Sequence, residues 1–77
     1  MGIGRQKALT RMGSLAERVE EHLAKIAASP ASWDVPHWRG EAAEWLRQIE
    51  ALVAHVGKRT GAEWRERIET LKKKLGD

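Results

Sequence analysis

Three histidines and a set of carboxylates are the side chains with the most chemistry to offer. His37 and Glu41 stand four residues apart, with Glu44 close behind. On a helix that spacing puts an imidazole and a carboxylate on one face. A nitrogen and one or two oxygens so placed can hold a divalent cation or pass a proton. The other donors do not converge with them. His22 and His55 lie far off in the chain, no His-x3-His pair occurs, and Cys is absent. The pair therefore reads as a surface polar pair, and no metal is expected. His22 and His55 flank apolar positions and would titrate near neutral pH where half-buried.

The nucleophile types fare no better. The Ser residues stand at helix-cap or loop positions, and a chain of 77 residues offers little room for a sizeable pocket. The turn Gly57-Lys58-Arg59-Thr60-Gly61 superficially has the look of a phosphate loop. That motif needs Gly, four residues, then Gly-Lys and Ser or Thr. Leu52 occupies the first position and Arg59 follows Lys58, so the motif is missing. What survives is two cations beside a helix start, able to hold an anion. A non-enzymatic protein with no cofactor and no small-molecule substrate is expected.

The elements that position these groups are legible in the apolar spacing. Leu9, Met12, Ala16, Val19, Leu23 and Ile26 form one series of three- and four-residue steps. Trp38, Ala42, Trp45, Ile49, Leu52 and Val56 form a second, and Trp64, Ile68, Leu71 and Leu75 a third. Each is the stripe of an amphipathic helix. The spacing predicts an all-α fold, a single domain over 1–77. It is a three-helix bundle in which helices two and three make an antiparallel hairpin and helix one packs across it. Ser14 and Glu17 have capping-box spacing, which starts helix one at 14 and carries it to 28. The stripe itself continues back through Met12 to Leu9. Residues 1–13 are thus either a basic arm or a helical extension kinked at Gly13, where glycine costs about 1 kcal/mol. Helix two is expected over 35–56, capped by Asp34 with Pro36 in its first turn. Helix three is expected over 61–75, capped by Thr60 and Glu63, with Gly57 just past the end of helix two.

Trp38, Trp45 and Trp64 fall on the stripes and are expected in the core, where each buries about 200 Å². Trp33 lies in the connection between the first two helices, beside Val35 and off any period. It is either a plug for the open end of the bundle or an exposed anchor for a partner. Leu15, Leu46 and Val53 flank the stripes and read as a leftover apolar edge that would serve a partner or a second copy of the chain.

Size and charge bear on the kind of partner. A core at this length supplies only about 3–5 kcal/mol of stability, which favours association. No disulfide is possible, no run approaches the roughly 18 apolar residues of a membrane span, and no targeting segment is visible. A cytoplasmic protein with no membrane contact is expected. The net charge is +3, unevenly spread: residues 1–13 carry three cations and no acid, residues 14–56 carry a surplus of acid, and residues 57–77 carry a surplus of base. The leading expectation is a protein-interaction module, a small regulatory or inhibitory protein or a structural small subunit, using Trp33, Val35, Leu15, Leu46 and Val53. The alternative is nucleic-acid binding through Arg5, Lys7 and Arg11 at one end of the chain and Lys58, Arg59, Arg65, Lys72, Lys73 and Lys74 at the other.

Overall fold

A computed structural model describes residues 3–76. Three α-helices follow one another: α1 from Arg5–Ala28, α2 from Val35–Leu52 and α3 from Lys58–Leu75, with a 3-10 turn at Val53–His55 closing α2. No strand occurs among the described residues. α1 and α2 share the most extensive interface. α3 packs mainly on α2 and its closing turn, and touches α1 more lightly. Short connections make α2 antiparallel to both neighbours, as the pairs His22–Glu41 and Arg39–Leu75 require.

The core runs along a seam with the same rhythm in every helix. In α1 it is Ala8, Met12, Leu15, Val19 and His22; in α2 and its turn, Ala42, Leu46, Ile49, Val53 and Val56. α3 adds Gly61, Ile68, Leu71 and Leu75, with the half-buried Trp64 between them. Steps alternate between four and three, the pattern that keeps side chains facing a nearly parallel neighbour. The seam shares Met12, Val19, Ala42, Ile49 and Val56 with the expected stripes, and Ala16 beside it is buried too, but at its other positions it is shifted by one, to Ala8, Leu15, His22, Leu46 and Val53. Leu15, Leu46 and Val53 are therefore core residues, each 5% exposed or less, and not a leftover edge.

The tryptophans correct the sequence reading in the other sense. Trp38, Trp45 and Trp64 are half-buried; Trp45 and Trp64 pack against the core, Trp64 on the α3 seam and Trp45 at the margin of the α2 seam. Between α1 and α2, helix axes about 8–10 Å apart leave no room for an indole on the midline, whereas a flank position buries the ring and leaves an edge in water. Each ring is covered by a cation: Arg18 lies 5.9 Å from the centre of Trp45, Lys25 5.9 Å from Trp38 and Arg67 4.8 Å from Trp64.

Helix boundaries also differ from the spacing of caps. α1 begins at Arg5, after Gly4, and passes Gly13 without interruption. Ser14 and Glu17 are thus interior positions. Burial of Ala8 and Met12 on the seam outweighs the glycine cost of about 1 kcal/mol. α3 begins three residues earlier than expected, and Thr60 accepts a hydrogen bond from Arg5 instead of capping its own helix. Gly57 stands at the N-cap with φ +86° and ψ 168°, a region open essentially to glycine alone. Four residues on, a Cβ on Gly61 would lie 3.2 Å from Val53 Cγ1, so α3 meets the 3-10 turn at a contact only a glycine fits without adjustment.

Candidate interaction surfaces

The connection between α1 and α2 is short and internally bonded. Ser32 N–H donates to Ser29 O at 3.0 Å, Val35 N–H to Ser32 O at 3.2 Å, and Asp34 N–H to Ser32 Oγ at 3.2 Å. Pro30 prevents α1 from continuing, and Asp34 O receives the first bond of α2, from Trp38 N–H at 2.9 Å. Asp34 occupies the cap position as expected, but its carboxylate makes no capping bond. Within this bonded connection Trp33 is 98% exposed while Val35 close by is half-buried. Trp33 plugs nothing. Every other large hydrophobic among the described residues is at least partly covered.

The basic residues fall into two groups. At one end of the bundle Arg5 Nη2 donates to Thr60 Oγ1 at 3.3 Å. The start of α1, with Arg5, Lys7 and Arg11, therefore shares that end with Lys58 and Arg59 at the start of α3. The other cations stand apart. Lys72 pairs with Glu50, and Arg65 shares a shallow groove with Glu50 and Glu69. Lys73 and Lys74 lie in the last turn of α3, about 20 Å along the helix from Thr60. Sequence reading missed Arg18, which is four and seven residues beyond Ser14 and Arg11 and lines the same groove on α1 as Gln6, Lys7, Thr10, Arg11 and Ser14. The signal was available: positions 7, 11, 14 and 18 repeat at helical spacing.

The histidine pair is in fact part of a trio. Glu41 Oε1 is 3.3 Å from His37 Nε2, as the four-residue spacing implies, and 2.9 Å from Nε2 of His22 on α1. His22 is 8% exposed and meets the edge of Trp45, ring centres 4.7 Å apart at 68°. Its Nδ1 is buried without a hydrogen-bond partner. An ionised carboxylate only accepts, so His22 carries its proton on Nε2. That hydrogen bond is the main cause holding the Glu41 carboxyl below its ordinary value near 4.5; partial burial opposes it and the charge on His37 assists. His55 is exposed at the far end of α2. The His22–Glu41 hydrogen bond is thus a clamp between α1 and α2, with His37 beside the same oxygen within α2. Among the described residues no three His, Asp or Glu side chains are arranged to hold a metal ion.

No helix among the described residues is long and apolar enough to cross a membrane. The chain matches no family model, and no curated protein or solved structure shows significant similarity to it.

Proposed function

We propose that the chain is a non-enzymatic protein-interaction module, a small regulatory protein or a small subunit of a larger assembly, with Trp33 as its anchor. One observation carries the reading: an indole 98% exposed on a connection held by its own hydrogen bonds. A tryptophan left in water adds nothing to this fold. Buried at an interface, its roughly 200 Å² is worth about 5 kcal/mol before the costs of association, and such residues dominate interface energetics. The bonded turn supports the reading further, because a pre-set backbone spends little ordering entropy on docking. Leu15, Leu46 and Val53, buried in the core, take no part, and Val35 contributes only its exposed side.

The test compares wild type, Trp33→Ala and a Trp64→Ala control in quantitative affinity purification, alongside thermal melts. Trp33→Ala is expected to melt within about 2 °C of wild type, since exposed positions shift stability by less than about 0.5 kcal/mol. It should lose a defined partner, or self-association by sedimentation, at least tenfold. Retention of every partner and of the oligomeric state by Trp33→Ala overturns the reading.

A further inference from the structure

We infer that the end of the bundle opposite Trp33 is a second binding surface, and that its ligand is the phosphate backbone of duplex DNA, held by the Lys7–Arg11–Arg18 stripe of α1. The inference goes beyond the Trp33 reading. α1 spans 24 residues, about 36 Å; the stripe runs from its first turns to Arg18, just past its middle, and Trp33 lies beyond its other end.

Charge is segregated there as nowhere else in the molecule. No Asp or Glu occurs in residues 3–16 or in 51–62, the segments that build this end; Arg18 follows Glu17 at its margin. Elsewhere acids are interspersed with the cations along the chain, and three cations are ion-paired: Arg47 with Glu44, Arg67 with Glu20 and Lys72 with Glu50. Arg5, Lys7, Arg11, Arg18, Lys58 and Arg59 make no ion pair among the described residues. Two helices also begin here, α1 and α3, each with no side-chain cap bond and no acid in the first turn. Cations at a helix start oppose the macrodipole and cost stability. An anion would relieve both repulsions at once.

The geometry of the stripe chooses among anions. Lys7, Arg11 and Arg18 extend over about 16 Å of one helix face, interleaved with Gln6, Thr10 and Ser14 along a shared groove. Amides and hydroxyls between cations are the donors that phosphate oxygens take in a nucleic-acid complex. A membrane surface would share the electrostatic attraction but would add apolar insertion only through Ile3 at the end of the groove, since the apolar face of α1 is turned into the core. A single strand would call for exposed aromatic platforms; Trp33 is at the other end, and Trp45 is half-covered by Arg18. With neither, the surface grips a duplex backbone without reading its bases. Lys58 and Arg59 add to the local field at the same end, whereas Arg65 and Lys72, beside Glu50, do not.

Fluorescence anisotropy with labelled duplex DNA, the matching single strand and, by flotation, phosphatidylserine vesicles tests the assignment. Wild type should prefer the duplex, with affinity falling about 100-fold between about 50 and 200 mM salt, as roughly four neutralised phosphates require. Lys7→Glu with Arg11→Glu should weaken duplex binding at least tenfold and reduce the log–log salt slope by about 2. Lys73→Glu with Lys74→Glu, which changes net charge equally at the other end of α3, should keep affinity within about threefold. The first variant also places acids nearer a helix start, so it should melt no lower than wild type, and lost binding then reports the surface and not unfolding. The inference is overturned by no duplex binding at the lower salt, by equal losses in the two double variants, or by preference for the single strand or the vesicles. None of these outcomes touches the Trp33 test.

Discussion

Glu41 is the residue on which two imidazoles and two helices depend, and its contribution has a pH signature. Its carboxyl is held below the ordinary value by the hydrogen bond from His22. The unfolded chain therefore takes up the proton before the folded one does. The stabilisation is complete above the ordinary value near 4.5 and is lost as pH falls through the lowered folded value. Melting temperatures of wild type and Glu41→Gln, measured from about pH 5 down to about pH 2, should differ at the upper end and converge as pH falls through the lowered folded value. A gap that stays open in acid would show that the carboxylate charge is not what joins α1 to α2. At this scale the sequence told half the story. The His37–Glu41 spacing is local and was legible. The stronger partner, His22, lies 19 residues away and arrives only by tertiary packing. His22 takes a seam position next to Leu23, an imidazole where an aliphatic side chain was expected.

Helices declare themselves by period, and all three did. Their rotation about the axis was harder to read. Each stripe is two residues wide, so the seam can follow either edge, and in α2 the tryptophans mark the outer one. Leu46 and Val53 win the midline because they fit between close helices; Trp45 takes the margin for the same reason. Capping boxes misled in a similar way. Ser14-x-x-Glu17 and Thr60-x-x-Glu63 have the right spacing, but packing of Ala8 and Met12 and the positive φ of Gly57 set the helix starts further back. Two glycine substitutions separate these effects. A Cβ on Gly13 would meet nothing within 4 Å, so Gly13→Ala should raise stability by about 1 kcal/mol through helix propensity alone. Gly61→Ala gains the same propensity but forces Val53 away from 3.2 Å, an overpacking cost of about 1–3 kcal/mol. Urea unfolding should therefore move the two midpoints in opposite directions.

The molecule as a whole is thin. A compact chain of this length has a radius of gyration near 11.5 Å, and this one has 13.2 Å, with extents of 42 × 21 × 15 Å. A folded monomer of this mass exposes about 4,700 Å²; this chain exposes 5363 Å². Little core supports much surface, so surface charge weighs heavily in its stability. Added salt screens the unpaired cations at the starts of α1 and α3, while the exposed ion pairs it weakens are worth less than about 1 kcal/mol each. The melting temperature should accordingly rise between about 20 and 300 mM sodium chloride, by about 4–8 °C for each 1 kcal/mol of repulsion removed. A fall over that range would mean that the pairs outweigh the repulsion. The charge asymmetry was visible in the sequence as two basic ends. Only the fold joins the first basic segment to Lys58 and Arg59 and leaves Lys72, Lys73 and Lys74 elsewhere.

Because α1 continues through Gly13 as uninterrupted helix, the chain is built around one long strut. The indole at its far tip and the arginines at its near tip are held at a set separation, with no joint between them at which to fold back. A body seated on one tip leaves the other open, so occupancy of the two is independent unless a single object is long enough to reach both.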